Sequence, residues 1–229
     1  MSFAALLLAV PSFAQEAKPA DAKPPEKPVQ EPVFPKDAGQ KKAMEDDIRV
    51  GNDYAKEVEK TLKFSKDTKS IERLERVGAV IADIARQNKV GVLYGDKRLS
   101  PFAYKFHLVE GKDVNAFSIP GGNIYVNEGL MAFVESDDEL AAVLAHEVSH
   151  AAFRHYATMQ KDSSLINALS LPLLIAAILA RNDATYGAMV GAQMASASFM
   201  SGWSVEAETA ADFGSVQFMA KSPYQPVGM

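Results

Sequence analysis

Cysteine is missing from all 229 residues. Its absence excludes a disulfide framework, a thiolate nucleophile and any cysteine-ligated zinc, so a metal in this protein has to be held by histidine, aspartate or glutamate. A basic excess is missing too: the formal net charge of −5 leaves a nucleic-acid partner without electrostatic support. No clear membrane span stands out either. The most apolar run, LINALSLPLLIAAILA at 165–180, is shorter than the roughly 20 residues a bilayer needs and carries Pro172, which would kink it. A buried or surface-lying helix is the first reading of that run and a membrane-associated segment the second. The stretch TYGAMVGAQMASASFMSGW that follows suits tight helix packing.

What the chain does have is an ordinary globular balance, 48% hydrophobic and 23% charged, enough for one sizeable core. Residues 1–14 form a short apolar run ending in the small-x-small pattern Ser12, Phe13, Ala14, the shape of an export signal, although a positive leading segment is missing. Residues 15–42 are rich in proline, alanine, lysine and glutamate and read as a disordered tether. The folded domain is expected over 43–229. An exported, periplasmic location follows, with membrane association as an extension of it; absence of cysteine is compatible with that compartment.

Within the domain, apolar residues recur at helical spacing from Ala43 to about Leu62 and from Thr68 to Gln87, where Ile71, Leu74, Val77, Val80, Ile81 and Ile84 share a face and Asp67 supplies an N-cap. Three short β-type runs follow, AYKFHLVE, VNAFSIP and NIYVNEG, split by GKD and by Pro120-Gly121-Gly122. They predict a small antiparallel sheet and, with helices on either side in the chain, a mainly helical α+β fold. Ser136-Asp137-Asp138-Glu139 has capping-box spacing, so the next helix is expected from Asp137 to about Gln160.

That helix holds LAAVLAHEVSHAAFRH, two histidines and a glutamate set in apolar surroundings where polar groups need strong partners. His146 and His150 lie four apart and so on one face, able to reach one ion, with Glu147 beside them. This is the HExxH arrangement, in which two imidazoles hold zinc and the carboxylate takes a proton from the water the metal activates. Two core histidines bonded to backbone are the plainer alternative. With only 4 histidines in the chain, composition alone produces the pattern on the order of 1% of the time.

A third ligand is required. The extended motif HExxHxxGxxH is excluded, because Phe153 stands at the glycine and Tyr156 at the last histidine; His155, one residue short, reads as structural, and Arg154 either as part of a charged helix side or as a contact to substrate or sheet. His107 alternates with apolar residues in a strand and is a surface or packing residue. Further along, SVEAETAADFGSVQFMAK is helical in pattern and offers Glu206 and Glu208, which point about 200° apart on a helix. Asp212 lies on the face of Glu208, where it can accept the free ring N–H of a ligating histidine, and this favours Glu208. A solvated acidic helix start is the plainer alternative for both glutamates.

HEVSH followed by ETAAD, with NAFSIPGGNIYVNEGLM upstream, resembles the zinc metallopeptidase family that includes HtpX, the CAAX prenyl proteases and the periplasmic protease BepA, over roughly Ala43 to the end. The resemblance implies a zincin-type gluzincin domain with one zinc ion per chain on His146, His150 and Glu208, Glu147 as catalytic base and Asp212 behind the ligands. It also implies that the strand bordering the cleft, with Asn115, Ala116 and Phe117, receives an extended peptide by strand addition; a plain hairpin is the alternative. Tyr125 or a neighbour is a candidate for stabilising the oxyanion. Family members run on past the point reached at Met229. The expected substrates are proteins or peptides, in particular misassembled envelope proteins, with association with outer-membrane assembly machinery. The rival readings are a zinc-containing chaperone or binding module, against which Glu147 argues since a structural site has no use for it, and a protease chain inactive as it stands.

Overall fold

The computed structural model describes residues 32–87, 89–162 and 204–226. The expected export signal, the 165–180 run and the small-residue stretch after it lie outside the described residues.

The first helix, α1 (Ala38–Thr61), starts earlier than its apolar pattern does. The Asp37 carboxylate accepts the Gln40 backbone N–H at 2.7 Å, and the Gln40 side chain donates to the Leu99 carbonyl at 2.9 Å. Residues 38–42, expected in the tether, are therefore the first turn of α1. The second helix, α2 (Thr68–Gln87), begins where expected, with Asp67 accepting the N–H groups of Lys69 and Ser70. It buries Leu74, Val77, Ile81 and Ala85 along one face.

The strands are β1 (Lys105–Val109), β2 (Ala116–Ile119) and β3 (Asn123–Asn127), in the order β1-β3-β2. The sheet is mixed and not purely antiparallel: β2 and β3 form the expected antiparallel hairpin through Pro120–Gly122, but β3 then inserts beside β1 and runs parallel to it. The strand runs themselves are where the alternation puts them; their spatial order is set by which faces need covering. One face, with Phe106, Leu108, Ala116, Ile124 and Val126, joins the main core. The other, with Val109, Phe117, Ile119 and Tyr125, packs on Val58, Tyr54 and Ala55 of α1.

After the short helix α3 (Glu128–Phe133) comes α4 (Asp137–Ala152), the interior helix of the fold. Ser136 Oγ accepts the Glu139 N–H at 3.2 Å, while the Glu139 carboxylate reaches back to the Glu135 N–H at 2.7 Å, one residue short of the usual capping-box partner. Leu140, Leu144, Ala145, Val148 and Ala152 are fully buried, against α2 and the sheet on one side and α6 (Val205–Ala220) on the other. The helix does not run on to Gln160. It stops at Ala152, Arg154 adopts φ 55°, and a separate helix α5 (His155–Asp162) departs in a new direction. A left-handed arginine is costly. Its guanidinium offsets that cost by gripping Asp47 of α1 through Nε and Nη2, Asp96 through Nη1 at 3.1 Å and the Ala43 carbonyl at 3.1 Å.

The distance between α4 and α6 is set by Gly214. A Cβ there would stand 2.5 Å from the Phe153 ring and 2.7 Å from Ser149 Oγ, so only glycine lets the two helices come this close.

Candidate metal centre

Two elements build the site. α4 presents His146 and His150 on successive turns with Glu147 next to them, and α6 presents Glu208 and, one turn on, Asp212. Ser204 caps α6 by accepting the Ala207 N–H at 3.2 Å, which orients the first turn that carries Glu208. Glu206 on the same turn is exposed.

The two imidazole Nε2 atoms are 3.0 Å apart; Glu208 Oε2 is 3.3 Å from His146 Nε2, and Oε1 is 3.9 Å from His150 Nε2. One donor atom from each of these residues lies within 4.8 Å of the others. Four donors held tetrahedrally at the 2.0–2.1 Å bonds of zinc stand roughly 3.3 Å apart. The spacing therefore fits a small ion with limited adjustment, and the donor set of two imidazoles and a carboxylate suits zinc.

Proton positions sharpen the fit. His146 Nδ1 faces Asp212 Oδ1 at 2.9 Å, so the ring N–H sits there and, in the neutral ring that a metal requires, Nε2 is the lone pair. His150 Nδ1 is 3.0 Å from His155 Nδ1, whose other nitrogen faces the Tyr94 carbonyl at 3.1 Å. With both outer nitrogens engaged, the two Nε2 atoms and the Glu208 carboxylate converge on one point, where they share a proton or, once neutral, could share a metal ion.

The titrations of these groups reflect the same competition. Burial, the largest influence, pulls His146 down, but Glu208, Glu147 and Asp212 together outweigh it and raise it to about 9. Burial, with His146 and His155 nearby, holds His150 well below its ordinary value. Burial also takes His155 down to about 4, opposed by the Tyr94 carbonyl. Burial pushes Glu147 up, against His146 and against Ser118 of β2, which faces the carboxylate. A buried carboxylate whose pKa is raised is a stronger base than an exposed one, which suits a proton acceptor beside a potential metal position.

Sequence comparison agrees with the geometry. The model of peptidase family M48 matches residues 75–229. The chain belongs to peptidase family M48. Its curated relatives include the beta-barrel assembly-enhancing protease of Yersinia pestis, 32% identical over 133 residues, covering 55% of this chain and 26% of that protein. The protein of the same name in Escherichia coli K12 is 28% identical over 129 residues, again 55% of this chain and 26% of its own length. The mitochondrial metalloendopeptidase OMA1 of Schizosaccharomyces pombe is 41% identical over 59 residues, 26% of this chain and 18% of that protein. The chain thus spans about a quarter of the length of the first of these relatives.

The M48 chain places its other expected site residues less uniformly. Asn115 precedes β2 and its carbonyl accepts the Asn127 N–H at 3.0 Å. By antiparallel alternation Ala116, opposite Val126, then turns its own N–H and C=O away from β3, toward the edge of β2 that no described strand pairs. Phe117 goes the other way, stacking on Tyr125 at 5.0 Å on the α1 face. Tyr125 is likewise on that face, across the sheet from Ser118, which faces Glu147. An oxyanion role for Tyr125 is therefore set aside.

One neighbour of the site, Ser118, has no signal in the sequence. It alternates as any strand serine would. His155, expected as structural, is fully buried with its ring against His150. Arg154 binds Asp47 and the Ala43 carbonyl on α1 and Asp96 on the loop before β1. Asp47, set among Met44, Gly51 and Val58 at helical spacing, was the signal that a buried cation had to meet α1.

Among the described residues no helix is long and apolar enough to cross a membrane.

Proposed function

We propose that this M48 chain is a zinc-dependent endopeptidase, with one ion held by His146, His150 and Glu208 and with Glu147 as general base. What supports the reading above all is the convergence of two imidazole Nε2 atoms and a carboxylate on one point. When bound, the ion supplies Lewis acidity that activates water and polarises the scissile carbonyl. Glu147 accepts a proton from the attacking water as the C–O bond forms, then returns it to the amine nitrogen as the C–N bond breaks. Asp212 holds the His146 ring in the tautomer that keeps Nε2 available. The outward N–H and C=O of Ala116 hydrogen-bond an extended substrate against the edge of β2, flanked by Asn115 and Phe117.

The substrates are proteins or peptides. The name shared by the bacterial relatives supports misassembled envelope proteins as the physiological class, with work beside outer-membrane assembly machinery and a periplasmic location. The test is cleavage of casein and of an unfolded β-barrel protein by wild type and Glu147→Gln, with zinc content measured on both. Loss of cleavage by about 10²–10⁴-fold with zinc retained is the expected result. Equal cleavage by both proteins would end the proposal.

A further inference from the structure

The turn that ends α4 does more than change direction. On a continuous helix, a residue five places after His150 would lie about 140° round the axis and about 7.5 Å along it, away from the His150 ring. The left-handed backbone of Arg154 brings His155 back instead, and its ring meets His150 edge-on at 5.0 Å between centroids. The two Nδ1 atoms are 3.0 Å apart, and His155 Nε2 is 3.1 Å from the Tyr94 carbonyl.

Hydrogen-bond direction follows from these contacts. A carbonyl can only accept, so His155 Nε2 carries a proton. A neutral His155 then has a bare Nδ1, which can only accept, so the proton between the rings belongs to His150 Nδ1. His150 Nε2 is left without a proton, and it is this atom that faces Glu208 and His146.

The Tyr94 carbonyl that starts the chain is itself held. Asp96 N–H donates to the Phe153 carbonyl at 2.7 Å, and Arg154 Nη1 binds the Asp96 carboxylate at 3.1 Å. Gly95, at φ 104°, passes so close to Phe153 that a Cβ would stand 2.3 Å from its carbonyl oxygen. Loop and turn are locked to each other, and His155 lies between them, with Tyr94 and Phe153 against its ring.

We propose that His155 is a positioning residue, which accepts the His150 Nδ1 proton and so fixes the tautomer and angle that turn His150 Nε2 toward the metal position. It does for His150 what Asp212 does for His146, with a backbone carbonyl as the final anchor in place of a carboxylate. The inference rests on the zinc reading above.

Zinc affinity, measured by competition with a chromophoric chelator, is the main test and does not depend on turnover. His155→Phe keeps ring volume and removes the acceptor; it is expected to weaken zinc binding about 10–100-fold. His155→Asn puts a carbonyl oxygen near the Nδ1 position and is expected to recover most of that loss. Imidazole ¹⁵N spectra of the zinc-loaded wild type should show His155 protonated at Nε2 alone and His150 protonated at Nδ1. These spectra need no variant, so a His155→Phe protein that fails to fold leaves the inference exposed to test. A proton on His155 Nδ1, or a folded His155→Phe that binds zinc as tightly as wild type, overturns it. Wild type that binds no zinc overturns the parent reading along with it.

Discussion

His146 of α4 and Asp212 of α6 meet at 2.9 Å, Nδ1 to Oδ1, and join the two helices through one of the side chains proposed to hold the ion. The pair fixes the ring's tautomer and, with the proton on Nδ1, leaves Nε2 directed at Glu208. Replacing Asp212 by alanine should lower zinc affinity about 10–100-fold while leaving the metal-free fold close to wild type, since Asp212 is largely exposed. Chelator competition and circular dichroism on the same preparation check both halves.

The helix spacing that places Glu208 depends on Gly214. Gly214→Ala should cost about 1–3 kcal/mol by overpacking against Phe153 and Ser149. It should also weaken zinc binding, because relief comes most readily by moving α6 and Glu208 with it. Denaturant unfolding reads the first effect and metal titration the second; a loss of stability with unchanged affinity would show that Phe153 yields and not the helix.

Arg154 and Asp47 are buried together as an ion pair. Asp47→Ala leaves the cation with Asp96 and the Ala43 carbonyl and should destabilise by about 3 kcal/mol, the range for breaking one side of a buried pair. Removing both partners, Asp47→Ala with Arg154→Ala, should cost clearly less than the sum of the two single changes. A double-mutant cycle in urea measures that coupling.

Tyr125 is fully buried, and its hydroxyl has no hydrogen-bond partner among the described residues. Tyr125→Phe keeps the stack between His107 and Phe117 and discards the unsatisfied group. It should therefore be neutral or stabilising by about 1 kcal/mol, and peptide cleavage should be unchanged. A large fall in kcat would restore Tyr125 to the active site.

Asp137, at the start of α4, is bridged to Arg73 at 2.8 Å and to Arg76 at 2.7 Å. Partial burial works against its ionised form, but the two arginines outweigh it and hold the carboxyl below its ordinary 3.8. Because the folded value is the lower one, the stabilisation is complete above about pH 4 and is lost as pH falls through the folded value. Asp137→Asn should thus destabilise by about 1 kcal/mol near neutrality, allowing for solvent screening, and progressively less below pH 4. Melting curves of both proteins across that range should converge in acid.

Much of this architecture could be read in the chain before any folding was considered, because the relevant information is local. Four-residue spacing puts His146 and His150 on one helical face whatever surrounds them. The same rule puts Asp212 behind Glu208, and the structure brings that face, not the exposed Glu206, against His146. Caps at Asp67 and Ser136 and the β-type runs were legible for the same reason: each is decided by a handful of neighbouring residues.

What the tertiary structure alone decided are relations between segments far apart in the chain. Alternation marks a strand but not its neighbours, so the parallel pairing of β1 with β3 appears only when both sheet faces are covered, by α1 and by α2 with α4. The break after Ala152 was invisible because Arg154 is an ordinary helix former. Its left-handed backbone is held by Asp47, Asp96 and the Ala43 carbonyl, on α1 and on the loop before β1. From that one turn follows the contact of His155 with His150. Backbone periodicity encodes which way a side chain faces on its own element, whereas what it meets there depends on packing that no single segment contains.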